Sequence, residues 1–280
     1  MTNHFEKASS RLLTADDLAE FPSPEADFVY PYGSDPEQFA ELRLPERDGP
    51  YPVMVLIHGG CWLAEYDLAH IRNLAKAFAD TGIATWTLEY RRVGDVGGGW
   101  PGTFEDIIEG TVLLNSIRTK HNLDTEKLIA CGHSAGGQLA LWLASVPHEF
   151  RVDGFIQPRG ILALAPAADL WYLHKIDICD GVVNKLMGGS PEEMPGRYAQ
   201  GSPIQRQPLG IPQYVVIGAH DSTWKPVVHR YCWAARESND DVVWIDANES
   251  GHFEMIDPRS NTWPLVRNAA FGLLDALGGK

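Results

Sequence analysis

The sequence is short of basic residues and of long apolar runs, and each shortage excludes a class of protein. Among 280 residues there are 23 Lys and Arg against 37 Asp and Glu, a net charge of −14. Because an acidic surface repels phosphate backbones and anionic lipid headgroups, we expect no nucleic-acid or membrane partner. No run of about 18 apolar residues could span a bilayer, and the segment Met1–Arg11 is too polar for the centre of a signal peptide. We therefore expect a cytoplasmic protein.

Cysteine is also scarce. The four cysteines are Cys61, Cys131, Cys179 and Cys232, and no two of them form a CxxC pair or a spacing typical of a zinc site. We expect free thiols, no disulfide and no metal centre.

Short uninterrupted apolar runs dominate the chain, and such runs are typical of strands buried on both faces of a parallel sheet. Helical patterns separate most of them, so we predict a mainly parallel α/β sheet covered on both faces, within one domain of residues 1–280. Two β-rich stretches at the N-terminal edge, Asp27–Tyr32 and Gln38–Leu44, are expected to be antiparallel. The apolar runs are Pro52–Ile57, Ile83–Leu88, Leu128–Cys131, Ile161–Ala165, Tyr214–Ile217 and Val242–Ile245.

Two segments fall outside this alternation. Residues 1–25 show no sustained period, and we predict a peripheral arm with one short helix there. Residues 169–209 are rich in Gly, Pro and charge and are long for a single crossover, so we predict an inserted cap or lid.

A GxSxG motif, Gly132-His133-Ser134-Ala135-Gly136, lies between a predicted strand and a predicted helix, which is the context that this motif requires. A strand that reverses sharply into a helix strains its central residue, and side chains at the flanking glycines would crowd the neighbouring chain. The motif predicts Ser134 as a nucleophile at the sheet edge.

A serine hydroxyl is nearly inert at neutral pH, so it needs a nearby base and an acid that orients the base. Asp221 follows the run Tyr214–Ile217, and His252 follows Val242–Ile245 at a short distance. We predict that Ser134, Asp221 and His252 form a catalytic triad. Asp169, just after another predicted strand, is the rival acid, and Asp246 also ends a strand.

The tetrahedral intermediate of such a reaction needs N–H donors aimed at its oxyanion. The run Pro52–Ile57 ends in His58-Gly59-Gly60-Cys61-Trp62, and glycines at a strand end allow close approach of the backbone. The predicted donors are the amides of Gly59, Gly60, Cys61 and Ala135. We expect His58 to brace this turn.

The HGGCW turn of His58–Trp62, combined with GHSAGG at residues 132–137 and a later Asp and His, resembles one branch of the α/β-hydrolase superfamily. That branch contains kynurenine formamidases and related bacterial feruloyl or acetyl-ester hydrolases. The resemblance covers the chain from about Asp27 onward and implies the α/β-hydrolase fold, a serine mechanism and no cofactor. Cys61 departs from the family's usual aromatic or small residue, and the segment 169–209 aligns with no member.

Several aromatic residues lie at predicted strand ends or in loops, and together they predict an apolar wall for an aryl or flat acyl group. The predicted substrate-binding residues are Trp62, Trp100, Trp171, Trp224 and Phe253. Residues 97–102 formally match a dinucleotide fingerprint, but the match begins too far after its strand and contains Pro101, so we expect a mobile pocket loop that presents Trp100. Arg91 and Arg92 would meet a substrate carboxylate or, as is more common, form ion pairs.

These features predict a serine hydrolase that cleaves a small ester or an N-formyl aryl amide through an acyl-enzyme. The alternatives are a promiscuous carboxylesterase with no role in kynurenine breakdown, and a non-catalytic protein that binds a small ligand in the same pocket. The expected partner is a small-molecule substrate, and self-association of the chain stays open.

Overall fold

A sheet of eight strands forms the centre of the protein, as seen in a computed structural model that describes residues 11–278. The strand order is β1-β2-β4-β3-β5-β6-β7-β8, and β2 pairs antiparallel with both β1 and β4, while all other neighbouring strands pair in parallel. This confirms the predicted fold class. The strands are β1 (Phe28–Pro31), β2 (Phe39–Arg43), β3 (Tyr51–Ile57), β4 (Ala84–Leu88), β5 (Leu123–His133), β6 (Gly160–Leu164), β7 (Gln213–Gly218) and β8 (Val242–Ala247).

Helices cover this sheet because its apolar strands must be buried on both faces. The helix α4 packs against β3, β5 and β6, while α9 packs against β5, β6 and β7. The helices are α1 (Ala15–Ala19), α2 (Arg72–Asp80), α3 (Gly102–Ile117), α4 (Ala135–Ala144), α5 (Leu170–Lys175), α6 (Ile178–Met187), α7 (Pro195–Gly201), α8 (Lys225–Glu237) and α9 (Trp263–Gly278). Short 3₁₀ helices span Leu68–Ile71, His148–Phe150, Pro203–Arg206 and Glu254–Ile256. In the described part of the chain, no helix is long and apolar enough to cross a membrane.

The segment 169–209 is helical and connects β6 to β7 through α5, α6, α7 and a 3₁₀ turn. It is fastened to α4 by two side chains: Gln138 Nε2 donates to the carbonyl of Gly201 at 2.8 Å, and Trp142 Nε1 donates to that of Gln200 at 2.9 Å. Its role as a cap stays a prediction.

A disulfide joins Cys61, just after β3, to Cys179 in α6. The expectation of four thiols is therefore wrong for this pair. The two cysteines are 118 residues apart, and nothing in that spacing indicates that α6 folds back onto the turn after β3. Cys131 and Cys232 are buried free thiols, as predicted.

Candidate active site

Ser134 occupies a strained turn between β5 and α4. Its backbone has φ 55° and ψ −116°, a conformation that is costly for a residue with a side chain. The flanking glycines are required sterically, because a Cβ at Gly132 would lie 2.1 Å from the carbonyl oxygen of Gly136, and one at Gly136 would lie 2.1 Å from that of Ile57. The turn is also anchored, since the amide of Ser134 donates to the carbonyl of Leu164 at 2.9 Å.

Asp221 contacts His252 directly. Asp221 follows β7 and His252 follows β8, and Nδ1 of the imidazole lies 2.6 Å from Oδ2 of the carboxylate. The other carboxylate oxygen accepts the amide of Trp224 at 3.2 Å, and the Trp224 indole stacks on the imidazole with ring centres 5.2 Å apart. Asp221 is 6% exposed, so this contact is largely shielded from water.

The two rival acids have other partners. Asp169 accepts from Arg230 Nε at 2.7 Å and caps α5 through the amide of Tyr172. Asp246 pairs with Lys225 at 3.3 Å. Within the described residues, Asp221 is therefore the carboxylate that can orient the imidazole.

Ser134 and His252 line the same cavity, whose volume is about 650 Å³. No hydrogen bond joins their side chains in residues 11–278. The imidazole is held beside the turn by His133, whose Nε2–H donates to the carbonyl of His252 at 2.9 Å. Burial and the neighbouring His252 lower the pKa of His133 well below its ordinary value, which keeps this donor neutral.

The turn after β3 lines this cavity with Gly60 and Cys61. Gly60, Cys61 and Trp62 all have positive φ, and a Cβ at Gly60 would lie 2.3 Å from Cβ of Tyr66. The amides of Gly60 and Cys61 have no acceptor in the part of the chain that the structure describes. Ala135 begins α4, so its N–H also lacks a partner within the helix.

The amide of Gly59, in contrast, already donates to His70 Nε2 at 3.3 Å. Desolvation, with a smaller contribution from His58, lowers the pKa of His70 to about 3, and the neutral ring is therefore an acceptor at ordinary pH. Sequence reasoning included Gly59 among the oxyanion donors and overlooked His70. An oxyanion role for Gly60, Cys61 and Ala135 stays a prediction.

His58 braces this turn from beneath. The ring is fully buried, stacks on Tyr90, and places Nε2 2.8 Å from a carboxylate oxygen of Glu89. The hydroxyl of Tyr90 also donates a hydrogen bond to the backbone carbonyl of His58 at 2.8 Å. This is the structural role expected of His58, with Glu89 as the partner that the sequence did not reveal.

Only two of the five predicted aromatic wall residues, Trp224 and Phe253, line the cavity. The other three predictions are wrong. Trp62 is fully buried and donates its indole N–H to Gln138, while Trp171 is 42% exposed beside Tyr198.

Trp100 packs between Phe104 and Phe150, away from the cavity. The expectation that the loop of residues 97–102 presents Trp100 to the pocket is therefore wrong, because none of these residues lines the cavity. A Cβ at Gly102 would lie 1.9 Å from the carbonyl oxygen of Gly97, so this loop is folded tightly on itself.

The predicted peripheral arm is instead part of the cavity. From residues 11–23, the residues that line it are Ala15, Asp16, Leu18, Ala19, Phe21 and Ser23. Leu18 is 8% exposed and belongs to the core. From the insertion, only Ile178 and Cys179 reach the cavity.

The two arginines after β4 are already paired. Arg91 binds the buried carboxylate of Asp106 with Nε and Nη2, and Arg92 pairs with Glu89 and neighbouring acids. Neither lines the cavity, so the ion-pair interpretation is confirmed. No group of three or more His, Cys, Asp or Glu residues in the described chain is placed to hold a metal ion.

Comparison with known proteins identifies the family. The family model described as BD-FAE matches residues 41–223, more than half of the chain. The chain belongs to the BD-FAE family. The matched region holds the HGGCW turn, the GxSxG turn and Asp221, whereas His252 lies beyond it. No curated protein sequence matches significantly.

Solved structures share the α/β-hydrolase fold of this BD-FAE member. Esterase B from Lactobacillus rhamnosis superposes with a TM-score of 0.78 at 21% identity, covering 94% of this chain and 90% of the other. Esterase 2 from Thermogutta terrifontis, with propionate bound, gives 0.75 at 18% identity and coverages of 93% and 97%. An acetyl ester-xyloside bifunctional hydrolase from Caldicellulosiruptor lactoaceticus gives 0.73 at 15% identity and coverages of 91% and 97%.

Proposed function

We propose that the protein is a serine esterase that cleaves small, uncharged carboxylic esters through an acyl-enzyme. The observation that carries the proposal is the 2.6 Å contact of Asp221 with His252 in the cavity that also contains the strained Ser134. A carboxylate that fixes the tautomer of an imidazole beside a raised serine is the arrangement used in serine hydrolysis.

In the proposed mechanism, Ser134 Oγ attacks the ester carbonyl while Nε2 of His252 takes its proton. Asp221 holds the Nδ1–H tautomer and stabilises the imidazolium. The amides of Gly60, Cys61 and Ala135 bind the oxyanion. The ester C–O bond then breaks, the alcohol leaves with the proton from His252, and water repeats the sequence to release the acid.

The charges of the cavity favour uncharged esters over substrates that carry a free carboxylate. Its acidic lining residues are Asp16, Glu65, Asp67 and Asp221, and no lysine or arginine is present among its described lining residues. The carboxylate of N-formylkynurenine would have no cationic partner there, and only its ammonium group would be matched by the acidic residues. The arylformamidase activity implied by the sequence resemblance is therefore the second candidate.

Structural neighbours support a short acyl group. Esterase B has been crystallised inhibited by a tributyrin phosphonate, and esterase 2 with propionate and with butyrate bound. Substrates of that size would fit within the cavity, and we infer acyl chains of similar length for this chain. A cytoplasmic location remains a prediction.

The test is labelling by a fluorophosphonate probe together with a substrate panel of acetyl, butyryl and feruloyl esters and N-formylkynurenine. We expect labelling at Ser134 and hydrolysis of the short neutral esters above the formamide. Ser134→Ala and His252→Ala should each lower turnover by about 10⁴–10⁶, and the double variant should cost little more, because the residues act as a unit.

Three results would contradict the proposal in different ways. An unlabelled wild-type protein would favour a non-catalytic binder of small ligands. Faster turnover of N-formylkynurenine than of every ester would favour the arylformamidase. Additive losses in the double variant would show that Ser134 and His252 do not work together.

A further inference from the structure

The N-terminal residues Ala15, Asp16, Leu18, Ala19, Phe21 and Ser23, here called the N-terminal wall, share the cavity with Ser134 and His252. Most of the wall lies on α1, a helix of five residues that is too short to be stable by itself in water. Something outside the helix must therefore hold it in place.

Glu254 supplies one such contact, in addition to the burial of Leu18 in the core. It is 8% exposed and lies two residues after His252, at the start of a 3₁₀ turn. One carboxylate oxygen accepts the amide of Leu13 at 2.6 Å, and the other accepts the amide of Gly251 at 2.7 Å. Hydrogen bonds of an amide to a carboxylate are roughly twice as strong as those between neutral groups.

The two contacts join different parts of the site. Leu13 lies two residues before α1, and Gly251 lies immediately before His252. A Cβ at Gly251 would lie 3.2 Å from Oε2 of Glu254 and 3.3 Å from Cδ1 of Leu12, so the turn and the N-terminal residues are packed closely there. One side chain thus binds both the segment that leads into the N-terminal wall and the turn that carries the imidazole.

We propose that Glu254 is a positioning residue that couples the N-terminal wall to His252, and that this wall selects the ester by size. The inference rests on the proposed esterase function and deepens it. The wall presents the small side chains of Ala15 and Ala19 beside Leu18, and the space that they leave determines how long a substrate the cavity accepts.

Filling that space tests the wall. Ala15→Phe should lower kcat/KM for p-nitrophenyl octanoate about tenfold more than for p-nitrophenyl acetate, since the new ring competes with the longer chain for room. The matched control is Glu20→Phe, which adds the same ring to an exposed residue that follows α1 and does not line the cavity. Equal octanoate-to-acetate ratios in Ala15→Phe and wild type would overturn the proposed wall.

Glu254→Gln tests the coupling. The amide side chain retains one acceptor but turns an N–H₂ group towards the other backbone donor, so one of the two contacts is lost. We expect kcat to fall about ten- to a hundredfold, because a displaced base is inefficient even when substrate binds. The octanoate-to-acetate ratio should also change, because the wall is no longer fixed.

The matched control for this variant is Asp257→Asn. Asp257 ends the same 3₁₀ turn and binds Arg259 through both carboxylate oxygens, but it contacts neither Leu13 nor Gly251. We expect its selectivity to match wild type. A Glu254→Gln protein that loses thermal stability while keeping the wild-type kcat and ratio would show a merely structural role and refute the coupling.

The outcomes separate this inference from the proposed function. If the wild-type protein hydrolyses no ester and resists the fluorophosphonate, the esterase proposal itself fails. If it reacts at Ser134 and yet Ala15→Phe and Glu254→Gln keep the wild-type selectivity, the esterase proposal is retained and only the role of Glu254 and the N-terminal wall is refuted.

Discussion

Replacing Asp221 by Asn should leave the fold intact and remove nearly all turnover. Asn has the same shape, but its amide N–H₂ can donate to Nδ1 of His252 where the carboxylate accepted at 2.6 Å. The imidazole would then carry its proton on Nε2, the nitrogen that must receive the proton of Ser134. A wrong tautomer of this kind costs about 10⁴ in kcat, or about 5 kcal/mol of transition-state stabilisation.

The assay is kcat for p-nitrophenyl acetate, together with the rate of fluorophosphonate labelling at Ser134 and the melting temperature. Labelling should slow in parallel with kcat, because both depend on removal of the serine proton. The melting temperature separates a wrong tautomer from a damaged fold.

Asp169→Asn is the matched control. Asp169 is 1% exposed and binds Arg230 and the amide of Tyr172, so its replacement perturbs a buried acid that makes no hydrogen bond to the imidazole. We expect turnover within about threefold of wild type, as for a residue outside the reacting groups. Full activity in Asp221→Asn, with inactivity in Asp169→Asn, would refute the assignment of the acid.

Two further predictions concern the turn after β3. Reduction of the Cys61–Cys179 disulfide should lower the free energy of unfolding by about 2–4 kcal/mol. It should also reduce kcat, because Cys61 supplies a proposed oxyanion amide. Equal melting temperatures with and without reductant would contradict the expected loss of stability. His70 has a pKa of about 3 when folded, against 6.5 ordinarily, so between these values the unfolded chain binds a proton that the folded chain does not. The free energy of unfolding should therefore fall as pH drops through that window. His70→Gln should reduce the slope of this free energy against pH by up to about 1.4 kcal/mol per pH unit. The control is His148→Gln, at an exposed position, which should leave that slope unchanged.

The strands could be predicted because a strand buried on both faces is a short uninterrupted apolar run in the sequence. Runs such as Pro52–Ile57 and Ile83–Leu88 agree with β3 and β4 to within a residue. The strand β5 is longer than its apolar run, since it begins at Leu123 and includes the polar residues 124–127. The pairing of β3 with β5 has an irregularity at that point, between Pro52 and Val53, which a count of apolar residues does not reveal.

The cavity lining was harder to predict because the sequence does not distinguish an aromatic residue in the core from one in a pocket wall. Trp62 belongs to the turn after β3, but its indole N–H donates to the side chain of Gln138, 76 residues away. The N-terminal wall was missed for a related reason. Its place depends on Glu254, which is 241 residues from Leu13, and no local pattern encodes that contact.

The sheet order explains why residues so far apart in sequence meet. The turns after β3 and β5 are adjacent because these strands pair in parallel, with Ile57 opposite Gly132. The strands β7 and β8 likewise pair in parallel, with Gly218 opposite Ala247, so Asp221 and His252 leave the sheet at the same edge. Because β6 and β7 separate β5 from β8, the strand that precedes His252 ends three strand spacings from the serine turn, about 14 Å in the hydrogen-bonding direction. The loop that carries His252 must span that interval, and we therefore expect its anchors at His133 and Glu254, together with the contact with Asp221, to position the imidazole.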